Sequence, residues 1–131
     1  MHLIIKTSPG EFLDKLTILE IKSERIRDHK KLENVERELA HLRVIWSESS
    51  LSKVDVSALL SELREINESL WEVEDQIRLK ESANQFDDEF IQLARSVYLT
   101  NDRRAAIKRE LNITLGSELL EEKSYADKSP S

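Results

Sequence analysis

The sequence predicts an all-α fold, an antiparallel bundle of four main helices with a short N-terminal extended arm and a short C-terminal helix over about 117–123. Its 131 residues include only two glycines and two prolines, so tight hairpins between strands have few places to form. Apolar residues recur at spacings of three and four, which is the period of a helix. Charged residues make up 35% of the chain and separate these apolar positions. We expect one domain over residues 1–123, followed by a flexible tail over 124–131.

The arm and the start of helix 1 have distinct signals. Residues 3–7 (LIIKT) predict one strand or an extended arm, and a lone strand must pair with a partner chain or lie against the bundle. Ser8 is placed as an N-cap, with Pro9 at the first helical position and Glu11 three residues after the cap. This capping box predicts a helix that ends near Arg27.

Helix 1 is apolar on two sides. On a helical wheel, one group of apolar residues shares a face and a second group lies nearly opposite. The groups are Phe12, Leu16, Leu19 and Ile26 on one side, and Ile18 and Ile21 on the other. A helix with two apolar sides is usually covered on both. Helix 1 is therefore expected to be central in the bundle or shared with a second subunit, and we expect a homodimer through helix 1 or the arm.

The other helices have narrow apolar seams and recognisable ends. Helix 2 is predicted between a turn at 28–30 and a loop at 47–53. Asp55 is predicted to cap helix 3 and Asp87 to open helix 4, each between two apolar residues that can pack as a hydrophobic staple. Gly116 is the expected left-handed stop of helix 4. The seams are Leu32, Val35, Leu39, Leu42 and Trp46 in helix 2, and Leu59, Leu63, Ile66, Leu70, Val73 and Ile77 in helix 3.

Composition and charge exclude several classes of function. The formal net charge is -6, and no nucleic-acid partner is expected because such binding depends on a basic face. There is no cysteine, which excludes disulfides and thiolate metal sites, and the three histidines lack the spacing of a zinc site. Residues 1–11 contain too short an apolar run for a signal peptide, and no segment approaches a membrane span. We therefore expect a cytoplasmic protein.

Helix 4 has polar residues where its core-facing stripe should be apolar. The stripe is set by Phe90, Leu93, Ala94, Val97 and Ala105. Asn101 and Lys108 fall within about 15° of its centre, and Arg104 lies about 50° away. Such groups are costly to bury unless partners are supplied. We expect the partners to be Glu74 of helix 3 and Glu20 of helix 1, which lie beside the apolar faces of their own helices.

Arginine and lysine together suit a phosphate or a carboxylate, because arginine offers a planar fork and lysine a point charge. The leading hypothesis is a small helical binding or interaction module with a charged pocket between helices for an anionic ligand. The expected binding residues are Arg95, Asn101, Arg104 and Lys108 on helix 4, Trp71 and Glu74 on helix 3 and Glu20 on helix 1, with Tyr98 as a further flat wall. No cofactor is predicted.

Three alternatives stay open. The same residues fit a buried ion-pair network that fixes helix register in a structural oligomer. Helix 4 would also be polar if it outran the bundle and left residues 101–112 in water. The third alternative is a metal-dependent hydrolase of nucleotides or sugar phosphates, in which Glu72 and Asp75 would bind Mg²⁺. Residues 62–65 and 72–75 have the ExxE and ExxD patterns of such sites, but both patterns lie on helix 3 and do not share a face. No serine or cysteine nucleophile motif occurs, and whether the chain is an enzyme stays open.

Four segments resemble a bacterial and phage family of small proteins of unknown function. They are SPGEFLDKLTILEIKSERI, INESLWEVEDQIR, FIQLARSVYLTNDRRAAIKRELN and LGSELLEEKSY. The resemblance covers residues 8–125 and implies an all-α architecture, but it implies no catalytic role for any residue. The family-like positions are Trp71, Glu74, Asp75, Arg78, Arg95, Asn101, Asp102, Arg104 and Lys108.

Overall fold

Four α-helices account for most of residues 1–116, which are the residues that the computed structural model describes. The elements are α1 (Pro9–Arg25), α2 (His29–Glu48), a 3-10 turn (Ser50–Lys53), α3 (Ser57–Ser82) and α4 (Asp88–Thr114). The described residues contain no strand, and the prediction of an all-α helical bundle is confirmed. The helix predicted over 117–123 and the tail over 124–131 lie outside the described residues.

Capping side chains begin α1 and α4 as predicted. The Ser8 hydroxyl accepts a hydrogen bond from the N–H of Glu11 at 3.1 Å. The Asp87 carboxylate accepts one from the N–H of Phe90 at 3.0 Å. Each bond satisfies a donor in the first turn that has no partner within the helix. At the other end of α4, Gly116 has a φ of 69°, as expected of a left-handed stop.

The segments that connect the first three helices differ in detail from the prediction. α1 ends at Arg25, two residues earlier than expected. The predicted loop over 47–53 instead continues α2 briefly and then forms the 3-10 turn, because the Ser49 hydroxyl caps that turn. Asp55 is not the cap of α3, which begins at Ser57. Its carboxylate accepts hydrogen bonds from the Ser57 N–H at 3.0 Å and hydroxyl at 2.7 Å, and so shapes the turn before the helix.

α1 is the central helix of the bundle, which is the first of the two arrangements expected from its apolar sides. It contacts α2, α3 and α4, whereas α2 contacts only α1 and the 3-10 turn among the elements of residues 1–116. The main hydrophobic core consists of Leu13, Leu16, Leu19, Leu39, Val56, Leu63, Leu111 and Leu115. Because α1 contributes three of these residues, its burial joins α2 to the α3–α4 pair.

α3 and α4 extend beyond α1. They contain 26 and 27 residues against 17 in α1, which corresponds to about 40 Å against about 26 Å of helix. No residue between Leu70 and Lys108 is buried. The extension thus includes the beginning of α4 and not residues 101–112, where Lys108, Leu111 and Asn112 are buried. The hypothesis that residues 101–112 are left in water is wrong.

The N-terminal arm is outside the helices and does not pack on the bundle. Leu3, Ile4 and Ile5 are 93%, 95% and 82% exposed. Pairing of the arm with a second copy stays a prediction. Among the helices of residues 1–116, none is long and apolar enough to cross a membrane.

Candidate functional site

A buried carboxylate, Asp14 of α1, organises the polar interior. It is 2% exposed and receives hydrogen bonds from two other helices. The Nδ2 of Asn67 on α3 donates to Asp14 Oδ1 at 2.9 Å, and the Nε of Arg104 on α4 donates to the same oxygen at 3.0 Å. Arg104 Nη2 donates to Asp14 Oδ2, which completes a two-bond fork. Such a fork fixes the plane of the guanidinium as well as its position.

Lys108 extends this network by one turn of α4. Its side chain is 9% exposed, and its Nζ lies 2.8 Å from Glu11 Oε2 and 3.9 Å from Asp14 Oδ2. Arg104 and Lys108 are therefore matched by two acids, Asp14 and Glu11. Every buried side-chain nitrogen or oxygen of the described residues has a hydrogen-bond partner, as is expected of a stable polar interior.

A close approach between α1 and α4 holds the network in place. The Gly10 N–H donates to the Oδ1 of Asn112 at 2.7 Å. A Cβ at position 10 would lie 2.4 Å from the carbonyl oxygen of Lys108, so only glycine fits at this distance. The approach brings Asp14, one turn later on α1, to the same level as the basic residues of α4.

A pocket of about 200 Å³ opens beside Arg104, between α1, α3 and α4. It is lined by Ile18, Ile21, Asn67, Leu70, Trp71, Glu74, Asn101 and Arg104. The Nη1 of Arg104 donates to Asn101 Oδ1 at 3.4 Å, so these two residues form one polar wall. Trp71 provides a partly exposed ring, and the carboxylate of Glu74 is exposed. The pocket thus presents groups of both charge signs beside apolar surface.

Four of the predicted binding residues meet at this pocket: Trp71, Glu74, Asn101 and Arg104. Lys108 lies in the adjacent ion-pair network and is not part of the pocket lining. Arg95 and Tyr98 are exposed on α4 and are also not part of the lining.

Glu20 does not pair with the basic residues of α4, which corrects the expected pairing. Its Oε2 lies 3.4 Å from Arg43 Nη2 and 3.8 Å from Arg64 Nη1, on the side of α1 that faces α2 and the start of α3. Arg64 also bonds to Glu24 and Glu68, and these acids raise the pKa of its guanidinium. Glu74, the other expected partner, also forms no ion pair with α4 within residues 1–116, and Asp14 takes the place that the sequence assigned to these two acids.

The two residues of the alternative metal site lie apart from the pocket lining. Glu72 pairs with Arg25, with 3.3 Å between Oε1 and Nη2, and Asp75 is exposed. Residues 1–116 contain no group of three or more histidine, aspartate or glutamate side chains placed to hold a metal ion.

Sequence reasoning missed Asp14, Asn112 and Gly10, although each has a signal. Asp14 lies about 20° from Ile21 on the wheel and so falls on the second apolar side of α1. Asn112 lies one turn after Lys108 on α4. Gly10 stands in the first turn of a helix, where a glycine can mark a close backbone approach.

The model of a family described as "Family of unknown function (DUF6165)" matches residues 3–131. No curated protein matches the chain, and no solved structure matches it. The match agrees with the resemblance to an uncharacterised family.

Proposed function

The chain belongs to DUF6165, a family of unknown function, and we propose that it is a binding module whose pocket between α1, α3 and α4 holds an acidic group of a small molecule. The observation that carries the proposal is the orientation of Arg104. Two of its nitrogens are held by Asp14, and the third, Nη1, is directed to Asn101 in the pocket wall. A carboxylate or phosphate at this wall would meet a guanidinium that is already oriented.

Preorganisation supports binding over a purely structural role for Arg104. A free arginine side chain loses rotamer entropy when it binds a ligand, but Arg104 is already fixed by Asp14. Its side chain nevertheless keeps 26% exposure and lines the pocket. A guanidinium that is held by Asp14 on one side and accessible from the pocket on the other can bind a ligand at little entropic cost.

The size and lining of the pocket limit the ligand. Its volume of about 200 Å³ is below the range of about 300–1,000 Å³ that is usual for drug-sized ligands. Trp71, Ile18 and Leu70 provide apolar surface for the non-polar part of a ligand. A small molecule with one acidic end and a compact apolar or ring portion fits both properties.

A structural ion-pair network is the second candidate, because Asp14 and Glu11 balance Arg104 and Lys108. The two candidate functions give Asn101 different importance. Asn101 lines the pocket, and its hydrogen bond is to Arg104 rather than to Asp14. A change at this position should affect a ligand more than it affects the fold.

The test uses the two tryptophans of the chain as an internal comparison. Trp71 lines the pocket, whereas Trp46 packs on Phe12 with 6.2 Å between ring centroids. Inorganic phosphate and small carboxylates are titrated into the ¹⁵N-labelled protein while both indole N–H signals are followed by NMR, with Trp71→Phe to assign them. We expect saturable shifts of the Trp71 signal and no shift of the Trp46 signal.

The decisive variant is Asn101→Asp, which keeps the acceptor for Arg104 and adds a negative charge at the pocket wall. It should weaken binding of the acidic probes at least tenfold. Asn84→Asp is the matched control, because it makes the same change of charge in the turn that connects α3 to α4, and Asn84 is not part of the pocket lining. If no acidic probe shifts the Trp71 signal selectively, or if both variants bind like the wild type, the structural network is the better account.

A further inference from the structure

Glu74 is a pocket residue whose carboxylate has no partner among residues 1–116. It lines the pocket and exposes its carboxylate, but no hydrogen bond or ion pair joins it to another residue within 1–116. Its neighbour Glu72, two residues earlier on the same helix, is paired with Arg25. The pocket therefore contains an acidic group that is free to bind a donor from a ligand.

The charges around the pocket do not favour a ligand that is only anionic. Among residues 1–116, Asp14 pairs with Arg104 and Glu11 with Lys108, so the carboxylate of Glu74 adds a negative charge that these two pairs do not balance. A lone anion at the Arg104 wall would be attracted by a guanidinium that is already neutralised and repelled by a carboxylate across the same small pocket. A positive charge on the ligand removes this conflict.

Two other lining residues, Asn67 and Asn101, have polar side-chain atoms that their bonds to the network do not use. The Nδ2 of Asn67 donates to Asp14 and Thr17, and its Oδ1 is not engaged by either bond. The Oδ1 of Asn101 accepts from Arg104, which leaves its Nδ2 as a donor. The side of α3 that lines the pocket thus has acceptors, Asn67 Oδ1 and the Glu74 carboxylate, and the side of α4 has donors, from Asn101 and Arg104.

We propose, on the premise of the function above, that the ligand is amphoteric: its acidic group binds at Arg104 and Asn101, and its protonated amine binds Glu74. The compact carbon skeleton between them packs on Trp71. Small amino acids and related amino-carboxylates have this chemistry. Both ends of such a ligand are recognised by opposite charges, so it binds more tightly than a simple carboxylate or a simple amine of the same size.

Matched sets of three probes test the proposal. Each set keeps the carbon skeleton and presents both charges, the acid alone or the amine alone. The sets are valine with 3-methylbutanoate and isobutylamine, phenylalanine with 3-phenylpropanoate and 2-phenylethylamine, and 4-aminobutanoate with butanoate and propylamine. Kd values come from the shift of the Trp71 indole signal at pH 7. In at least one set, we expect the amphoteric member to bind tenfold or more tightly than either relative.

Glu74→Gln removes the charge with little change of shape and should bring the amphoteric probe to within about threefold of the acid alone. Glu72→Gln is the matched control, because it makes the same change on the same helix outside the pocket lining. It should leave the preference unchanged.

The outcomes separate this inference from the function on which it rests. If the acids alone bind as tightly as the amphoteric probes in every set, and Glu74→Gln has no effect, the ligand is not amphoteric but the acidic-group site stands. If amines alone bind as tightly as the amphoteric probes, both proposals are wrong, since the Arg104 wall contributes nothing. If no probe shifts the Trp71 signal, both are also wrong.

Discussion

Gly10→Ala tests the close approach of α1 and α4 most directly. The added Cβ would lie 2.4 Å from the Lys108 carbonyl oxygen and 3.0 Å from Asn112 Oδ1. The first distance is to backbone, which no side-chain rotation relieves, so the two helices must separate. That separation also lengthens the 2.7 Å hydrogen bond from the Gly10 N–H to Asn112.

The magnitude follows from three contributions to the free energy of unfolding. Overpacking of this kind costs about 1–3 kcal/mol, and a weakened hydrogen bond adds about 1 kcal/mol. The higher helix propensity of alanine offsets up to about 1 kcal/mol. We expect Gly10→Ala to lose about 1–3 kcal/mol of stability, or up to about 10 °C in Tm for a domain of this size.

Urea unfolding followed by circular dichroism measures this loss, and two variants interpret it. Gly116→Ala is the control glycine. A Cβ there meets no atom of the described residues within 4 Å, but its φ is 69°, so we expect strain from the left-handed backbone conformation of about 1 kcal/mol. Asn112→Ala removes the side-chain contact and leaves the Lys108 carbonyl in place. The loss caused by Gly10→Ala should therefore largely persist in the Asn112→Ala background. A Gly10→Ala protein as stable as the wild type, or complete rescue by Asn112→Ala, would refute the reasoning.

Three further predictions concern the network, the pocket and a helix cap. Asp14→Asn keeps the shape of the side chain but removes the counter-charge of the Arg104 guanidinium, so the free energy of unfolding should fall by about 3 kcal/mol. Lys15→Ala, which breaks an exposed ion pair to α2, should lower it by less than about 1 kcal/mol. Equal losses in the two variants would contradict the structural role of Asp14. Arg104→Lys keeps the positive charge but not the planar fork of the guanidinium, so the Kd of the tightest-binding probe should rise at least tenfold. Equal Kd values of wild type and variant, measured by NMR, would argue against recognition by the fork. The pKa of Asp87 is held below its usual range, first by the hydrogen bond from the Phe90 N–H and then by the contacts of Lys80. The stabilisation of the fold by ionised Asp87 is therefore present above the unfolded pKa of about 4 and is lost as pH falls through the folded pKa. The Tm difference between wild type and Asp87→Ala should be constant from pH 7 to pH 5 and shrink under more acidic conditions; a difference that stays constant down to pH 2 would contradict this assignment.

Local signals were sufficient for most of the fold. Ser8 and Asp87 begin helices because their side chains cap neighbouring N–H groups, and that chemistry is encoded within four residues. The two apolar sides of α1 predicted that it is either central in the bundle or shared with a second subunit, and its contacts with α2, α3 and α4 correspond to the first arrangement. Asp55 was placed less accurately, because an aspartate that shapes a turn and one that caps a helix look alike in sequence.

The pocket was predicted in part because it depends on how helices meet. A wheel gives the angular position of Asn101 and Arg104 on their own helix, and both line the pocket. It does not give the level along a neighbouring helix. Glu20 is six residues after Asp14 on α1, or about 9 Å along the axis, and is therefore level with Arg64 rather than with Arg104.

Within the part of the chain that the structure describes, α2 contacts only α1 and the 3-10 turn, and Leu39 is the one residue that it buries. The pocket is formed by α1, α3 and α4. Segments with few buried apolar contacts open locally at lower free energy than the core does. We therefore expect α2 to open locally at a lower free energy than the core, so that its amide protons exchange with solvent before those of α1. Sequence change on its outer surface can accumulate without altering the dimensions of the pocket.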